Sequence, residues 1–427
     1  MARLLYTLLF TALLPFMLFR LFRRSLRNPA YRRRISERFG SVANQPPAGT
    51  IWIHSVSVGE TVASQPLVER LLSRFPDRSL LITTTTPTGS AQVKRQFGDR
   101  VFHTYLPYDL PWFWNRFFKQ VQPELLIVME TELWPNLLAH CNKAGVPTVL
   151  ANARLSEKSA RGYRKFSALT RPMLNSLSAI GVQNSTDGDR FVDLGYPRER
   201  ITDTGSIKFD ISVSNELREQ GRQLRHQWGE DRPVLALASS HEGEDELLLD
   251  CYHRLASASK GLILMIIPRH PERFDQVVAA AETRDLRVHR RTQGPVSFSN
   301  AESLQVYVAD TMGEMMLLLS ATDVVVMGGS FEPVGGHNPI EPASLGKPVL
   351  MGPHYFNFAT IVANLEARGA LKVTSAARLN QDLMELLGDD RNQQAMARAA
   401  ISSVSAHRGA IDRLEKIVVD TLDQSGI

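Results

Sequence analysis

Cysteine is almost missing from this chain: 427 residues hold two, Cys141 and Cys251. Neither belongs to a C-x-x-C pair, which argues against a disulfide scaffold and a cysteine zinc site. Such usage fits a reducing compartment. Glycine (27) and proline (23) are too few, and too scattered, for a collagen or low-complexity chain. The 43% hydrophobic and 22% charged residues rule out a disordered chain and a polytopic membrane protein. His241, His270 and His337 show no H-x-x-x-H spacing, so no metal site is expected. At roughly 100–200 residues per domain, two or three domains are expected.

Basic charge is also absent where it would count for nucleic acid. The formal net charge is +5, but residues 1–34 hold eight arginines and no Lys, Asp or Glu. The remainder is therefore 5 − 8 = −3, a mildly acidic body on a basic handle. A whole-body nucleic-acid footprint is not supported.

The handle is what is present instead. Leu4 to Phe19, LLYTLLFTALLPFMLF, carries no charge over 16 residues. A spanning helix needs about 20 residues, with a lower limit near 17. The segment is thus open to four readings: a short span, a helix lying in the interface, a signal-peptide core, or a core helix of the soluble domain. A signal peptide needs small residues at a cleavage site after its core. Here RLFRRSLRNPAYRRR follows, which favours retention, a cytoplasmic position for the arginines and attraction to anionic lipid. Residues 1–34 are expected to anchor the chain to a membrane.

After Gly49 the chain alternates apolar runs with helical stretches: IWIHSVS (51–57), LLITTTT (80–86), LLIVM (125–129), PTVLANA (147–153) and AIGVQN (179–184). ITDTGSIKFD (201–210) ends this half, and a polar, helical stretch over 211–230 leads to a second start. There follow PVLALASS (233–240), GLILMIIP (261–268), LQVYVAD (304–310), DVVVMGG (323–329) and KPVLMG (347–352), then helix over about 376–420. Buried runs alternating with helices predict parallel sheets covered on both faces. The expected fold is α/β: two Rossmann-like, doubly wound lobes, 35–210 and 211–427, facing a cleft, with the last helix able to return to the first lobe. Ligands of such sheets sit at the C-terminal strand ends.

The chemistry-bearing motifs all follow strands. In HSVSVGE, Gly59 permits a tight turn and Glu60 falls near a helix start, either as a helix-dipole carboxylate or as a general base. In METELWPN, Glu130 stands at a strand tip, where burial demands a partner, while Glu132 suits a first helical turn opened by Pro135. Lys208, in GSIKFD, is a surface charge or a cation fixed in the cleft. Ser239 and Ser240 precede a helix start suited to anions, without the G-x-G-x-x-G fingerprint of a dinucleotide dehydrogenase. Pro268 and Arg269, in PRHPERF, form a candidate phosphate or carboxylate clamp. Met312, Gly313 and Glu314 precede a short helix. In GGSFEPVGGHNPIEP, paired glycines allow close ligand approach, His337 and Asn338 offer hydrogen bonds, and Glu341 can accept both ribose hydroxyls.

Together, the two-lobed body, the Gly-Gly and Asn-x-x-Glu pattern and the basic handle resemble the GT-B glycosyltransferases. More narrowly, HSVSVGE, METELWPN, GSIKFD, PRHPERF and GGSFEPVGGHNPIEP resemble the 3-deoxy-D-manno-octulosonic acid (Kdo) transferase family, in order over almost the whole chain. The resemblance implies inverting, metal-independent transfer of Kdo from CMP-Kdo to lipid IVA, the lipid A precursor, in lipopolysaccharide core synthesis. It implies an acceptor-binding first lobe and a donor-binding second lobe. Glu60 corresponds to the catalytic base, and Glu130 and Lys208 to residues supporting the transition state. Pro268, Arg269, Met312, Gly313, Glu314, Asn338, Pro339, Ile340 and Glu341 fall where the family binds CMP, and Ser239, Ser240, Gly336 and His337 join them as donor-binding candidates from their place in the chain. No cofactor is expected. The location implied is the bacterial inner membrane, with a single N-terminal anchor and the body among cytoplasmic-face lipids. Two alternatives stand beside it: another membrane-associated GT-B glycosyltransferase with a different nucleotide sugar, and an inactive lobe pair serving as a membrane-binding module. The presence of base, clamp and ribose carboxylate speaks against the second.

Overall fold

The computed structural model describes residues 1–296, 301–424 and 426. The chain divides into two compact units, one formed by 1–210 with 408–427 and the other by 211–407. Each is built on a parallel sheet that has seven strands among the described residues.

The first sheet holds β1 (Thr50–His54), β2 (Leu80–Thr84), β3 (Phe102–Tyr105), β4 (Pro123–Met129), β5 (Thr148–Ala153), β6 (Ala179–Val182) and β7 (Ile201–Asp203). Their order is β3-β2-β1-β4-β5-β6-β7. Alternate residues of a strand point to opposite faces. Trp52, Leu126 and Val128 accordingly join one core cluster, with Trp114 and Phe117. Ile51, Ile53, Leu125 and Ile127 join the other, with Leu414 and Val418 of the last helix, Ala410–Gln424. Both faces are apolar, so the strands read as continuous hydrophobic runs. Asp210 ties the last helix to this unit: its two carboxylate oxygens accept the amides of Gly409 and Ile411, each at 2.6 Å.

The second sheet holds β8 (Val234–Ser240), β9 (Ile263–Pro268), β10 (Val288–Arg290), β11 (Val306–Val308), β12 (Val324–Met327), β13 (Val349–Met351) and β14 (Leu371–Val373). The order is β10-β11-β9-β8-β12-β13-β14. The chain crosses to the other side of its first strand between β1 and β4 in the first sheet and between β8 and β12 in the second, where β11 also inserts between β9 and β10. Those are the points at which doubly wound sheets open a crevice for ligands.

Three strands lie outside the sequence expectation: β3 (FHTY), β10 (VHR) and β14 (LKV). All three are sheet edges. An edge strand has one neighbour, so it tolerates polar residues and shows no apolar run.

The N-terminal helix runs from Ala2 to Arg27 and is long and apolar enough to cross a membrane by length and composition. It belongs to the first unit.

Candidate functional site

In the first unit, the candidate side chains stand at the β1/β4 reversal. β1 ends at His54, whose ring is fully buried and bonds Thr83 Oγ1 through Nδ1 at 2.9 Å. Burial holds that imidazole neutral, with its pKa pushed down to about 4. The chain then turns into the helix Val58–Arg74, capped by Ser57, whose Oγ accepts the Glu60 amide at 3.3 Å. The Glu60 carboxylate in turn accepts the Val56 amide (2.8 Å) and the Ser57 hydroxyl (3.0 Å). Burial raises its pKa to about 7, and the charges of Glu130 and Glu132 add to the rise. A carboxyl poised near neutral pH with fixed orientation has the properties of a general base.

Glu130 follows β4 with φ +56°, a left-handed conformation uncommon outside glycine. Its amide still bonds Ala151 at 2.9 Å. Holding a glutamate there costs on the order of 1–3 kcal/mol and fixes where the carboxylate leaves the strand. Glu132, beside it, is pushed up by burial and then by Glu130. Lys208 lies in the 3₁₀ turn Ile207–Phe209, which packs against the helix that carries Glu60. That turn is held by Asn152, itself at φ +53°, whose Oδ1 accepts the Ile207 amide at 3.2 Å. The structure thus gathers Glu60, Glu130 and Lys208 at one end of one sheet.

In the second unit the corresponding residues gather around β9, β8 and β12. Ser239, at φ +58°, and Ser240 end β8. Pro268 ends β9, and the Arg269 amide bonds Ser240 at 3.1 Å. Beyond β12, Gly328 bonds Ala238 at 2.8 Å; a Cβ there would stand 2.4 Å from the Ser239 carbonyl oxygen, so only glycine allows this approach. The loop returns at Gly336, φ +77°, whose amide bonds Gly329 at 2.6 Å. This places the His337 ring parallel to that of His241, with the two Nε2 atoms 2.9 Å apart. His270 stands edge-on to His241. Burial pushes the His337 pKa down to about 4, and the charges of His241, Arg269 and His270 add to it. One neutral ring therefore donates and the other accepts. Asn338 donates to Glu341 at 3.2 Å and accepts the Ile340 amide at 3.2 Å, setting Glu341 in the first turn of the short helix Ile340–Ser344, after Pro339. Burial raises the Glu341 pKa, while Asn338 and Arg269 draw it back.

Met312, Gly313 and Glu314 lie one strand further out, after β11. Met312 is exposed, and the Glu314 carboxylate accepts from Arg291 Nη2 and Nε at 2.8 and 3.1 Å and from the Thr311 hydroxyl. Glu314 is thus engaged within the chain.

Sequence reasoning passed over Glu244. It is 1% exposed and accepts four backbone amides: His241 (2.9 Å), Gly329 (2.7 Å), Ser330 (3.0 Å) and Phe331 (3.0 Å). Glu246 accepts the Gly243 amide at 3.0 Å. The anion capacity expected of the segment after β8 is therefore partly used by the chain's own carboxylates. Asp245, fully buried, pairs with Arg273 at 2.6 Å and was likewise passed over. The signal available was the run of acids in HEGEDE, but nothing nearby in sequence names their partners. Among the described residues no group of three or more His, Cys, Asp or Glu side chains is placed to hold a metal ion.

Comparison with known proteins gives a consistent result. Residues 33–211 match the family described as 3-deoxy-D-manno-octulosonic-acid transferase (kdotransferase). The 3-deoxy-D-manno-octulosonic acid transferase of Haemophilus influenzae is 40% identical over 429 residues, covering 100% of both chains. That of Bordetella pertussis is 38% identical over 396 residues, 90% of each. Among solved structures, UDP-GlcNAc 2-epimerase from Neisseria meningitidis bound to UDP-GlcNAc superimposes with TM-score 0.57 over 88% of this chain and 100% of its own, at 14% identity. That likeness is one of fold, and it is the GT-B-like α/β class.

Proposed function

The chain belongs to the 3-deoxy-D-manno-octulosonic acid transferase family, and on that premise we propose that it moves Kdo from CMP-Kdo to lipid IVA at the cytoplasmic face of a bacterial inner membrane, as a step of lipopolysaccharide synthesis. The transfer is inverting and needs no metal. A hydroxyl of the acceptor attacks the anomeric carbon of Kdo, the bond from that carbon to the CMP phosphate oxygen breaks, and the hydroxyl proton passes to Glu60. CMP leaves with the bonding pair.

The observation that carries this reading is the Glu60 carboxyl, raised to about 7 at the β1/β4 reversal. At neutral pH a large share is ionised, yet its basicity exceeds that of an ordinary carboxylate, the balance that general-base catalysis favours. Glu130 and Lys208 support the charge that develops, Lys208 as a cation for an anionic group of the donor. The second unit takes the donor: Arg269 faces the phosphate, and Glu341 accepts the ribose hydroxyls. A donor with a single phosphate does not need the Mg²⁺ that a diphosphate recruits.

The test is acceptor-dependent chemistry. Freshly made CMP-Kdo is incubated with and without lipid IVA, CMP release is followed, and the lipid is weighed by mass spectrometry. Release that requires lipid IVA, with a lipid heavier by whole Kdo units, is expected. Binding of UDP in preference to CMP would point to a different nucleotide-sugar donor.

A further inference from the structure

By composition the N-terminal helix could cross a bilayer, but its contacts do not allow it. Near its first turn, the Tyr6 hydroxyl donates to Asp109 Oδ2 at 2.9 Å, and Thr7 shares hydrogen bonds with Asn136 at 3.0 and 3.1 Å. Asp109 is a buried residue of the first unit; it also accepts the Trp114 indole N–H (2.8 Å) and the amides of Asn136 (3.0 Å) and Leu137 (2.8 Å). Met1, Ala2 and Arg3 line a recess together with Pro135, Ala139 and Pro172 of the same unit. At the other end, Ser25 is buried and accepts from Arg32 Nε at 2.8 Å. The start of the helix is therefore tied to the body, and just past its end Arg34 donates to the His103 carbonyl oxygen of that body at 2.8 Å.

A spanning helix cannot satisfy both ties. From Tyr6 to Arg20 the helix rises about 21 Å at roughly 1.5 Å per residue. Were Leu4–Phe19 to cross the hydrocarbon, Tyr6 would sit on the far side, and Asp109 and Asn136 would have to follow it through the membrane. The burial pattern agrees with the ties. Ala2, Tyr6, Phe10, Leu14, Leu21 and Ser25, at helical spacing, are shielded or half-buried. Leu5, Leu9, Leu13, Phe16 and Phe19, on an adjoining face, are 47–64% exposed.

We infer that this helix lies flat in the surface of an anionic lipid leaflet, its exposed apolar face in the acyl boundary and its arginines among the headgroups, so that it holds the first unit against the membrane without spanning it. This rests on the membrane association proposed above. The occupant follows from charge: residues 1–34 hold eight arginines, Arg20, Arg23 and Arg24 among them in the C-terminal part of the helix, and contain no acid. Each arginine near an anionic leaflet is worth about 1 kcal/mol, and an apolar face buried roughly 5–10 Å completes the attachment. Trp112, three residues from Asp109, is also exposed, and tryptophan suits the headgroup level.

The test uses the full chain on vesicles of phosphatidylethanolamine and phosphatidylglycerol. Spin labels are placed singly through Leu5→Cys, Leu9→Cys, Leu13→Cys and Phe16→Cys, with the unsubstituted chain as background, since Cys141 and Cys251 are buried. Relative access to oxygen and to a water-soluble nickel chelate gives depth. The flat helix predicts four depths equal within a few ångströms, just below the headgroups. Depths that run through the bilayer centre, spread over about 16 Å at 1.5 Å per residue, would show a span and overturn the inference. Labels shut off from both reagents and broadened by one another would put a second copy on this face and overturn it too. Replacing phosphatidylglycerol with phosphatidylcholine should weaken binding at least tenfold; undiminished binding overturns the anionic leaflet. A chain that does not sediment with either vesicle fails the association itself, a separate result.

Discussion

The carboxylate of Glu244 holds the backbone amide of Gly329 at 2.7 Å, across 85 residues of chain, and does the same for Ser330 and Phe331. One buried side chain thereby shapes the glycine-rich loop after β12 and joins it to the end of β8. Glu244→Ala leaves those amides unsatisfied. Hydrogen bonds to a charged group are each worth roughly 1.5–3 kcal/mol, so a loss of at least about 2 kcal/mol is expected, with CMP affinity falling tenfold or more. Denaturant unfolding and CMP titration calorimetry check both.

The second prediction concerns Gly328, where a Cβ meets the Ser239 backbone carbonyl at 2.4 Å. Neither partner is a flexible side-chain end, so Gly328→Ala must push β8 and β12 apart. Overpacking of this kind costs about 1–3 kcal/mol. Unfolding should show that loss, and CMP binding should weaken with it. Unchanged affinity would separate the loop from the donor.

The third prediction is a pH profile. In the proposed mechanism Glu60 acts as its carboxylate, and its carboxyl is pushed up to about 7. Consequently kcat/KM should rise as pH increases through about 7 and then level. Burial is the larger cause and Glu130 a lesser one, so Glu130→Gln should move that acidic limb to lower pH without abolishing it. The stability sign is the opposite of the rate sign. The folded state binds Glu60's proton more tightly than the unfolded state, so this group's contribution falls as pH rises from 4.5 to about 7.

His54 titrates with the reverse sign. Its folded pKa is pushed down to about 4 from an ordinary 6.5 by burial. Between those values the unfolded chain takes up a proton that the folded chain refuses, so stability falls as pH drops through the window. The loss reaches about 3 kcal/mol for a fully buried group. Thermal unfolding of the first unit should show a Tm that declines from pH 6.5 to 4, and His54→Asn should flatten the decline.

The central strands were legible in the sequence because both faces of each are covered. TIWIH, PELLIVM and VLALASS have no solvent side and so no polar alternation. The edges β3, β10 and β14 were not, since FHTY, VHR and LKV carry polar residues that an edge accepts. Glu60 was placed near a helix start because Gly59 and the end of an apolar run are local signals. Its neighbour Glu130 was placed at a strand tip, but its left-handed backbone was not foreseeable. Glu244, the His241–His337 pair and the Tyr6–Asp109 tie depend on residues 85 to 103 positions apart, and no local pattern encodes such pairings.

The measurement that bears most directly on the account is turnover of Glu60→Gln beside its CMP affinity. Acceptor-dependent CMP release from CMP-Kdo should fall by roughly 10²–10⁴-fold, the contribution of a positioned base, while CMP binding stays within about twofold of the parent because the residues proposed to hold the donor lie in the other unit. Release at the parent rate from Glu60→Gln would contradict the assignment of the base, and with it the proposed mechanism.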